Sequence, residues 1–331
     1  VCLCCFLNPV INHVNVSGDG MTESARSIEL ESAKAELVED LVPDDYEEFI
    51  TELKKLLGDG VSKKLMRFAG GDYYIADDLL PRIHGLCPSK CTLVEVFGGS
   101  GFVTQEADRG KFPNVVYNDI DNKLVTFYKL AKEKPRELTA LLLLLPFARS
   151  YYKIVHALIK GGNTELAALE LAALTFYSIN ASFYSKGGFA YSIEARRNEA
   201  AVFKKRVLSI PAIVSKWVDV TIENLDFRDV IDKYDSEATV FYLDPPYPDR
   251  AGEYYNSFFT IHDLRDMAYM LKHIKGKFLL KLDDRTYSLI QDLLPEEFYR
   301  VERIEKVMNM DKKRGGEKRR KWTLVLVSSM V

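Results

Sequence analysis

The sequence has no long hydrophobic run. Its longest apolar stretch, at 140–148, is far shorter than the roughly 18 residues that a membrane-spanning helix needs. The first residues also lack the basic region and extended apolar segment of a secretory signal. These absences predict a soluble, intracellular protein.

Cysteine and histidine are too sparse for a recognisable zinc site. Of five cysteines, three lie in the first twenty residues, which leaves Cys87 and Cys91 as an isolated C-x3-C pair. A structural zinc site needs four ligands, so we expect these two cysteines to be free thiols or a local disulfide. An overall basic charge is also lacking, because the formal net charge is -3, so the total charge does not indicate a polyanionic ligand.

The charge is nevertheless distributed unevenly. Residues 1–20 lack an initiator Met and are interpreted as an extension translated upstream or introduced by cloning. Residues 21–60 contain twelve acidic and four basic side chains, and the apolar spacing over 28–57 predicts helices in this acidic segment. The remainder of the chain is therefore net positive, which is compatible with a phosphate-containing ligand.

Beyond residue 60 the pattern alternates between strands and helices. Helices are predicted over 123–181, with a break at Gly161-Gly162-Asn163, and a hairpin or loop over 182–198. Alternation of this kind predicts a Rossmann-like α/β fold with a mostly parallel sheet, covered on both faces, that binds ligands at the carboxyl ends of its strands. The predicted strands are 92–97, 114–118, 217–222, 239–243, 278–282, 300–307 and 322–327.

A glycine-rich turn follows the first predicted strand. The segment Phe97-Gly98-Gly99-Ser100-Gly101 permits a sharp turn and a close approach of the backbone to a ligand, and Asp119 lies at the end of the second strand. An acid at that spacing accepts hydrogen bonds from ribose hydroxyls, so a nucleoside-containing cofactor is indicated. The spacing differs from the G-x-G-x-x-G of a dinucleotide site, which disfavours a dehydrogenase.

The tetrapeptide Asp244-Pro245-Pro246-Tyr247 directly follows the predicted strand 239–243. Its two prolines fix the backbone and remove two N–H donors, so the free polar groups of this stiff loop are acceptors, as the binding of an amino group requires. Acceptors at Asp244 and at the Pro245 carbonyl would localise the lone pair of an exocyclic amine, and Tyr247 would stack on the base. The alternative is an ordinary tight turn after a buried strand.

Together these motifs resemble the DNA adenine methylase (Dam-like) family over about 63–327. The resemblance implies an S-adenosylmethionine-dependent methyltransferase sheet with an inserted helical and hairpin target-recognition subdomain. It implies double-stranded DNA as the substrate, a base extruded from the duplex, S-adenosylmethionine as the methyl donor, no metal, and a cytoplasmic location with association to the nucleoid during action on DNA. A cognate restriction endonuclease is a further expected partner.

The resemblance also assigns roles to individual residues. The catalytic residues are expected to be Asp244, Pro245, Pro246 and Tyr247. The cofactor is expected to contact Phe68, Gly70, Gly71, Glu95, Phe97, Gly98, Gly99, Gly101, Asp119, Asp226 and Phe227. The family usually has a lysine where this chain has Asp72, so the cofactor pocket is expected either to be completed by another base or to bind more weakly.

DNA contacts are expected in two basic segments. They comprise Tyr184, Lys186, Arg196 and Arg197 in the hairpin region, together with Lys312, Lys313, Arg314, Lys318, Arg319 and Arg320 between the last two strands. The run Lys204-Lys205-Arg206 is a third candidate, but a solvated helix face is the favoured interpretation. Tyr254, Tyr255, Asn256 and Phe258 are candidates for the base pocket or, equally, for core and loop aromatics.

The expected organisation is a catalytic domain formed by 61–122 and 215–331, interrupted by a target-recognition region at 123–214. Two alternatives remain open at this point. One is the same fold acting on another planar amine, such as that of cytosine, RNA or a protein glutamine amide. The other is a catalytically silent DNA-binding subunit.

Overall fold

The computed structural model of the chain describes residues 62, 64–68, 71–161, 166–183, 188–193, 197–248, 259–307 and 321–330. The predicted extension at 1–20 and the predicted acidic helices within 21–60 lie outside this part of the chain, as do Tyr254, Tyr255, Asn256 and Phe258.

The described residues form a seven-stranded sheet in the order β3-β2-β1-β4-β5-β7-β6. Strands β1 to β5 are parallel, and β7 is antiparallel to both β5 and β6. The mostly parallel sheet predicted from the sequence is therefore confirmed. The strands are β1 (Thr92–Glu95), β2 (Asn114–Asn118), β3 (Val220–Glu223), β4 (Thr239–Leu243), β5 (Lys277–Asp283), β6 (Arg300–Val307) and β7 (Lys321–Ser328).

Helices cover the sheet and connect its parallel strands. Asp72–Ile75 and Ser215–Trp217 are short 3-10 turns. The helices are α1 (Ala76–Leu86), α2 (Phe102–Glu106), α3 (Asn122–Glu133), α4 (Pro135–Leu144), α5 (Arg149–Lys160), α6 (Ala168–Asn180), α7 (Glu199–Leu208), α8 (Ile210–Val214), α9 (Phe227–Tyr234), α10 (Ile261–His273) and α11 (Asp284–Tyr287).

The core lies on both faces of the sheet because all five residues of the central strand β4 are buried and successive side chains point to opposite faces. On β4, Val240 and Tyr242 join one hydrophobic cluster, and Phe241 and Leu243 join the other. A strand that is buried on both faces reads as a continuous apolar run, as parallel strands do. Such a sheet exposes its functional groups where its strands end.

The segment between β2 and β3 is helical and shares its core with one face of the sheet. Phe127 of α3 stacks on Phe176 of α6 with ring centroids 5.3 Å apart, and both belong to the cluster that contains Leu93 of β1. The predicted strand at 217–222 begins only at Val220, so the first part of that prediction is wrong. Trp217 closes a 3-10 turn instead and is buried in this shared core.

Two further expectations from the sequence are addressed by the fold. Cys87 and Cys91 form a disulfide, one of the two arrangements expected for this pair. Within the described residues, every helix is too short or too polar to cross a lipid bilayer.

Candidate active site

The two sequence motifs meet at the carboxyl edge of the sheet. Strands β1 and β4 are parallel neighbours, with Glu95 paired to Tyr242. The glycine-rich turn therefore leaves the sheet next to Asp244-Pro245-Pro246-Tyr247. About 150 residues separate the motifs along the chain, but the strand order makes them adjacent, at the place where sheets of this kind bind ligands.

The glycine-rich turn rests on an aromatic platform. A Cβ on Gly98 would lie 2.1 Å from the Tyr117 ring, and a Cβ on Gly101 would lie 2.5 Å from the Trp217 ring. The hydroxyls of Tyr117 and Tyr128 donate to the carbonyls of Gly99 at 3.1 Å and of Ser100 at 2.5 Å. Gly98 and Gly101 are therefore required by the rings behind the turn.

Gly99 faces a more open space. It has a φ of +48°, and the nearest atom to a Cβ at this position would be Phe68 Cε1 at 4.0 Å. Its N–H donates to Asp119 Oδ2 at 2.7 Å, while the N–H of Asp121 donates to Asp119 Oδ1 at 2.8 Å. Phe68, Gly99 and Asp119, three of the residues expected at the cofactor, are thus together, and the space beside Gly99 suits a bound nucleoside cofactor.

Burial raises the pKa of Asp119 to about 6, although the hydrogen bonds from Asp121 and Gly99 oppose this rise. Each carboxylate oxygen has a second acceptor site beyond its backbone partner. The Asp119 side chain can therefore hold the turn and still accept a hydrogen bond from a ribose hydroxyl.

Two asparagines connect the loops that follow β1, β2 and β3. Asn118 donates to the carbonyls of Val96 at 2.9 Å and Leu225 at 3.1 Å. Asn224 donates to the carbonyls of Asp119 at 2.7 Å and Ile120 at 3.1 Å. These side chains were not expected from the sequence, and they fix the relative positions of the three loops.

Glu95 lies beneath the site. It is 1% exposed, and its Oε2 accepts the N–H of Thr104 at 2.7 Å, so the carboxyl group anchors the start of α2. Burial raises the pKa of Glu95 to about 8, despite the lowering effect of its hydrogen bonds to Thr104.

Phe97, Phe227 and Phe259 form an aromatic cluster on the other side of the turn. The Phe97 ring centroid is 5.8 Å from that of Phe227 and 5.7 Å from that of Phe259. Phe227 is 5% exposed, whereas Phe97 is half-buried. Asp226 caps α9 by accepting the N–H of Arg228 at 2.9 Å.

Asp244 is bound by a buried lysine. Lys281 Nζ lies 2.5 Å from Asp244 Oδ2 and 2.5 Å from Asp72 Oδ1. Leu243 pairs with Leu280, so continuing the register by one residue places Asp244 beside Lys281. The base opposite the catalytic motif is thus supplied by β5, and Asp72, in the 3-10 turn before α1, is its second partner.

The three charged groups perturb one another. Burial raises the pKa of Asp244 to about 7, Lys281 lowers it, and the charge of Asp72 raises it. Burial lowers the pKa of Lys281, but the charges of Asp244 and Asp72 outweigh burial and raise it overall. Lys281 is therefore an ammonium ion that is shared by two carboxyl groups.

The remaining motif residues occupy different environments. Pro245 is buried, whereas Pro246 and Tyr247 are half-buried. Gly71 precedes the 3-10 turn of Asp72, and Gly70 lies outside the described residues. Among the residues expected to contact DNA, only Arg197 is described. The others, which are Tyr184, Lys186, Arg196, Lys312, Lys313, Arg314, Lys318, Arg319 and Arg320, lie outside the described part of the chain.

Arg197 is exposed and pairs with Glu199 at 2.5 Å. The run at 204–206 does not form one solvated face: Lys204 and Lys205 are exposed, but Arg206 is 7% exposed. The guanidinium of Arg206 contacts the side-chain oxygen of Asn180 at 3.4 Å. Burial lowers the pKa of Arg206 to about 10.

The sequence carries a signal for the buried role of Lys281. The strand Lys277–Asp283 is apolar at 278, 279, 280 and 282, with a lysine at 281. A lysine inside a fully buried strand needs an anionic partner. Identifying that partner requires the strand order, which places β5 beside β4.

Comparison with known proteins agrees with the geometry. The family model described as D12 class N6 adenine-specific DNA methyltransferase matches residues 77–310. No curated protein matches the chain. The crystal structure of a "putative RNA methyltransferase PH1948 from Pyrococcus horikoshii" is similar over 86% of this chain and 98% of that one, with 10% identity and a TM-score of 0.37.

The family match spans the glycine-rich turn, Asp119 and the Asp-Pro-Pro-Tyr segment. It also spans Lys281 but begins after Asp72. Enzymes of this family transfer a methyl group from S-adenosylmethionine. The chain therefore belongs to the D12 class N6 adenine-specific DNA methyltransferase family and methylates the 6-amino group of adenine in DNA.

Proposed function

We propose that Asp244 is the catalytic acceptor for the adenine 6-amino group and that the turn at 97–101, with Phe68 and Asp119, holds the cofactor. The observation that carries this proposal is the placement of Asp244. Its carboxylate follows a central strand beside the glycine-rich turn, is fixed through Oδ2 by Lys281 and keeps 26% of its side chain exposed.

Asp244 and the carbonyl of Pro245 would each accept one hydrogen of the adenine amine. Acceptors in these positions localise the nitrogen lone pair, which is otherwise delocalised into the purine ring, toward the methyl group. The cofactor supplies that methyl group on a sulfonium centre. Methylation would make the amine nitrogen acidic, and the Asp244 carboxylate or water would accept its proton.

The target base is proposed to leave the duplex, because an amine within the base stack cannot reach a partly buried carboxylate at the edge of a sheet. Tyr247 would stack on the extruded base. The segment at 123–214 is the proposed target-recognition region. Two short hydrogen bonds support a narrow hairpin there: the N–H of Phe183 donates to Gly188 O at 2.5 Å, and the N–H of Ala190 donates to Ala181 O at 2.7 Å.

Large apolar side chains flank this hairpin. Phe183, Tyr191 and Ile193 are 51%, 59% and 80% exposed, and exposed hydrophobic groups close together mark interaction surfaces. Basic residues are expected in the same region from the sequence, and together such side chains would suit a DNA groove and its phosphates. A cognate restriction endonuclease and action at the nucleoid in the cytoplasm are also proposed; they rest on the family resemblance.

The test is Asp244→Ala. Labelled S-adenosylmethionine is incubated with unmethylated DNA, and the nucleosides of the digested product are separated. We expect N6-methyldeoxyadenosine in the wild-type digest and a loss of about 10²-fold or more in methyl transfer by the variant, with cofactor affinity measured by calorimetry largely retained. Asp229→Asn, which changes an exposed acid of α9, is the control. Full activity of Asp244→Ala would overturn the assigned role.

A further inference from the structure

Lys281 occupies an environment that normally excludes an ammonium group. Its side chain is 2% exposed, and Leu280 and Leu282 beside it on β5 are fully buried. Burying a charge is costly unless the charge is paired. Lys281 has two such partners, Asp72 and Asp244, which come from different elements.

We propose that Lys281 is a positioning residue for methyl transfer: it fixes Oδ2 of Asp244, leaves Oδ1 to accept the adenine amine hydrogen, and is itself held by Asp72. This inference rests on the proposed role of Asp244. Within the described residues, Oδ1 of Asp244 accepts no hydrogen bond, whereas Oδ2 lies 2.5 Å from the ammonium. Oδ2 therefore orients the carboxylate, and Oδ1 is the acceptor for the substrate.

Asp72 determines the net charge of the cluster that it forms with Lys281 and Asp244. One ammonium between two carboxylates leaves the ionised cluster with a net charge of -1, so Asp244 is oriented but keeps acceptor character. A lysine paired with Asp244 alone would neutralise it more completely. Asp72 is 5% exposed, and its contact with Lys281 anchors the ammonium to a second element, the 3-10 turn before α1.

The two charged neighbours of Asp244 have opposite effects on its pKa. In the described part of the chain, Asp244 is influenced by Lys281 on β5 and Asp72 in the 3-10 turn, with the phenols of Tyr242 on β4 and Tyr247 nearby and Glu95 on β1. Lys281 favours the ionised carboxylate, and Asp72 opposes ionisation. Burial and the charge of Asp72 also raise the pKa of Tyr242, so it remains a neutral phenol.

The experiment compares Lys281→Met and Asp72→Asn with the wild type. The pH dependence of kcat is measured with saturating S-adenosylmethionine and DNA, because this profile reports groups in the enzyme–substrate complex. The acidic limb of the profile is expected to follow the ionisation of Asp244. Lys281→Met should therefore move this limb to higher pH by about 1–3 units, and Asp72→Asn should move it to lower pH by about one unit. The asparagine retains an acceptor for Lys281, which limits structural change.

Lys277→Met is the matched control, because Lys277 begins the same strand at its other end and should leave the limb in place. Asp244→Ala, which removes both acceptor oxygens, separates the two proposals. If it retains activity, the role of Asp244 fails. If it is inactive and neither Lys281→Met nor Asp72→Asn moves the limb, only the positioning role fails. If Lys281→Met does not fold, the downward shift in Asp72→Asn decides: its presence supports the proposal, and its absence overturns it.

Discussion

Glu95 combines near-complete burial with an ionisable group. Because burial raises its pKa to about 8, the folded protein keeps this proton over a pH range in which the unfolded chain, with an ordinary glutamate pKa near 4.3, has lost it. Linkage then requires a contribution to stability that is fully present below the unfolded pKa and is lost as the pH rises to about 8.

Replacement of Glu95 by glutamine should remove this dependence. Between pH 5 and 8 we expect the free energy of unfolding of the wild type to fall by on the order of 4 kcal/mol more than that of Glu95→Gln. Urea denaturation at several pH values measures the difference. Glu237→Gln, which alters an exposed acid, should behave like the wild type. Parallel curves for Glu95→Gln and the wild type would contradict the buried, protonated state.

At the residue scale, the sequence identified several groups that the structure brings together, including Phe68, Gly99, Asp119 and Asp244. Each is a polar, aromatic or glycine residue close to the end of an apolar strand or in a recognisable motif. Lys281 and Arg206 were not assigned a buried role. Their environments depend on which strand or helix lies beside them, and that information is not local in the sequence.

At the scale of elements, strands β2, β4 and β6 begin and end where the apolar pattern predicts. The prediction that β3 begins at residue 217 was wrong because Trp217 and Val218 continue an apolar pattern that suits a strand. The indole instead packs against the glycine-rich turn and Tyr128, which requires the 3-10 turn at Ser215–Trp217.

The glycine-rich turn provides a comparison between two positions of similar backbone geometry. Gly99 and Gly101 have φ values of +48° and +62°. Alanine at either position would have to adopt the left-handed backbone conformation, which costs about 1–2 kcal/mol. At Gly101 the added Cβ would clash with the Trp217 ring at 2.5 Å, whereas at Gly99 the nearest atom, Phe68 Cε1, would be 4.0 Å away.

We therefore expect Gly101→Ala to destabilise the protein by about 2–5 kcal/mol and Gly99→Ala by about 1–2 kcal/mol. Chemical denaturation of the two variants measures these losses, and the difference isolates the contact with Trp217. Equal losses would show that the ring moves aside without cost.

At the scale of the whole molecule, the fold class follows from the alternation of strands and helices, whereas the adjacency of the two motifs depends on the strand order, which places β1 beside β4. The helical segment between β2 and β3 was expected to be an insertion. Its helices α3 and α6 contribute Phe127 and Phe176 to the core on one face of the sheet. Apolar periodicity shows that these helices have a buried face, but it does not identify the surface against which that face packs.

The distribution of charge also belongs to this scale. The loop residues Lys318, Arg319 and Arg320 are expected to contact phosphates, whereas Lys204 and Lys205 are expected to remain solvated. Replacing the loop trio with glutamine should reduce the slope of log affinity against log salt concentration by about 0.9 for each phosphate that the variant no longer neutralises. The matched change at 204 and 205 should leave it unaltered. DNA titrations at several salt concentrations distinguish the two segments, and an unchanged slope for the loop variant would refute its assignment.

Trp217 has a consequence for observing the enzyme. Its indole stacks on Tyr128 at 4.3 Å with an interplanar angle of 6° and lies directly behind Gly101. The chain has two tryptophans, so Trp322→Phe would leave this indole as the sole long-wavelength emitter. Any displacement of the glycine-rich turn would change its emission and near-ultraviolet circular dichroism. The protein thus contains an intrinsic optical sensor of the segment proposed to hold the cofactor.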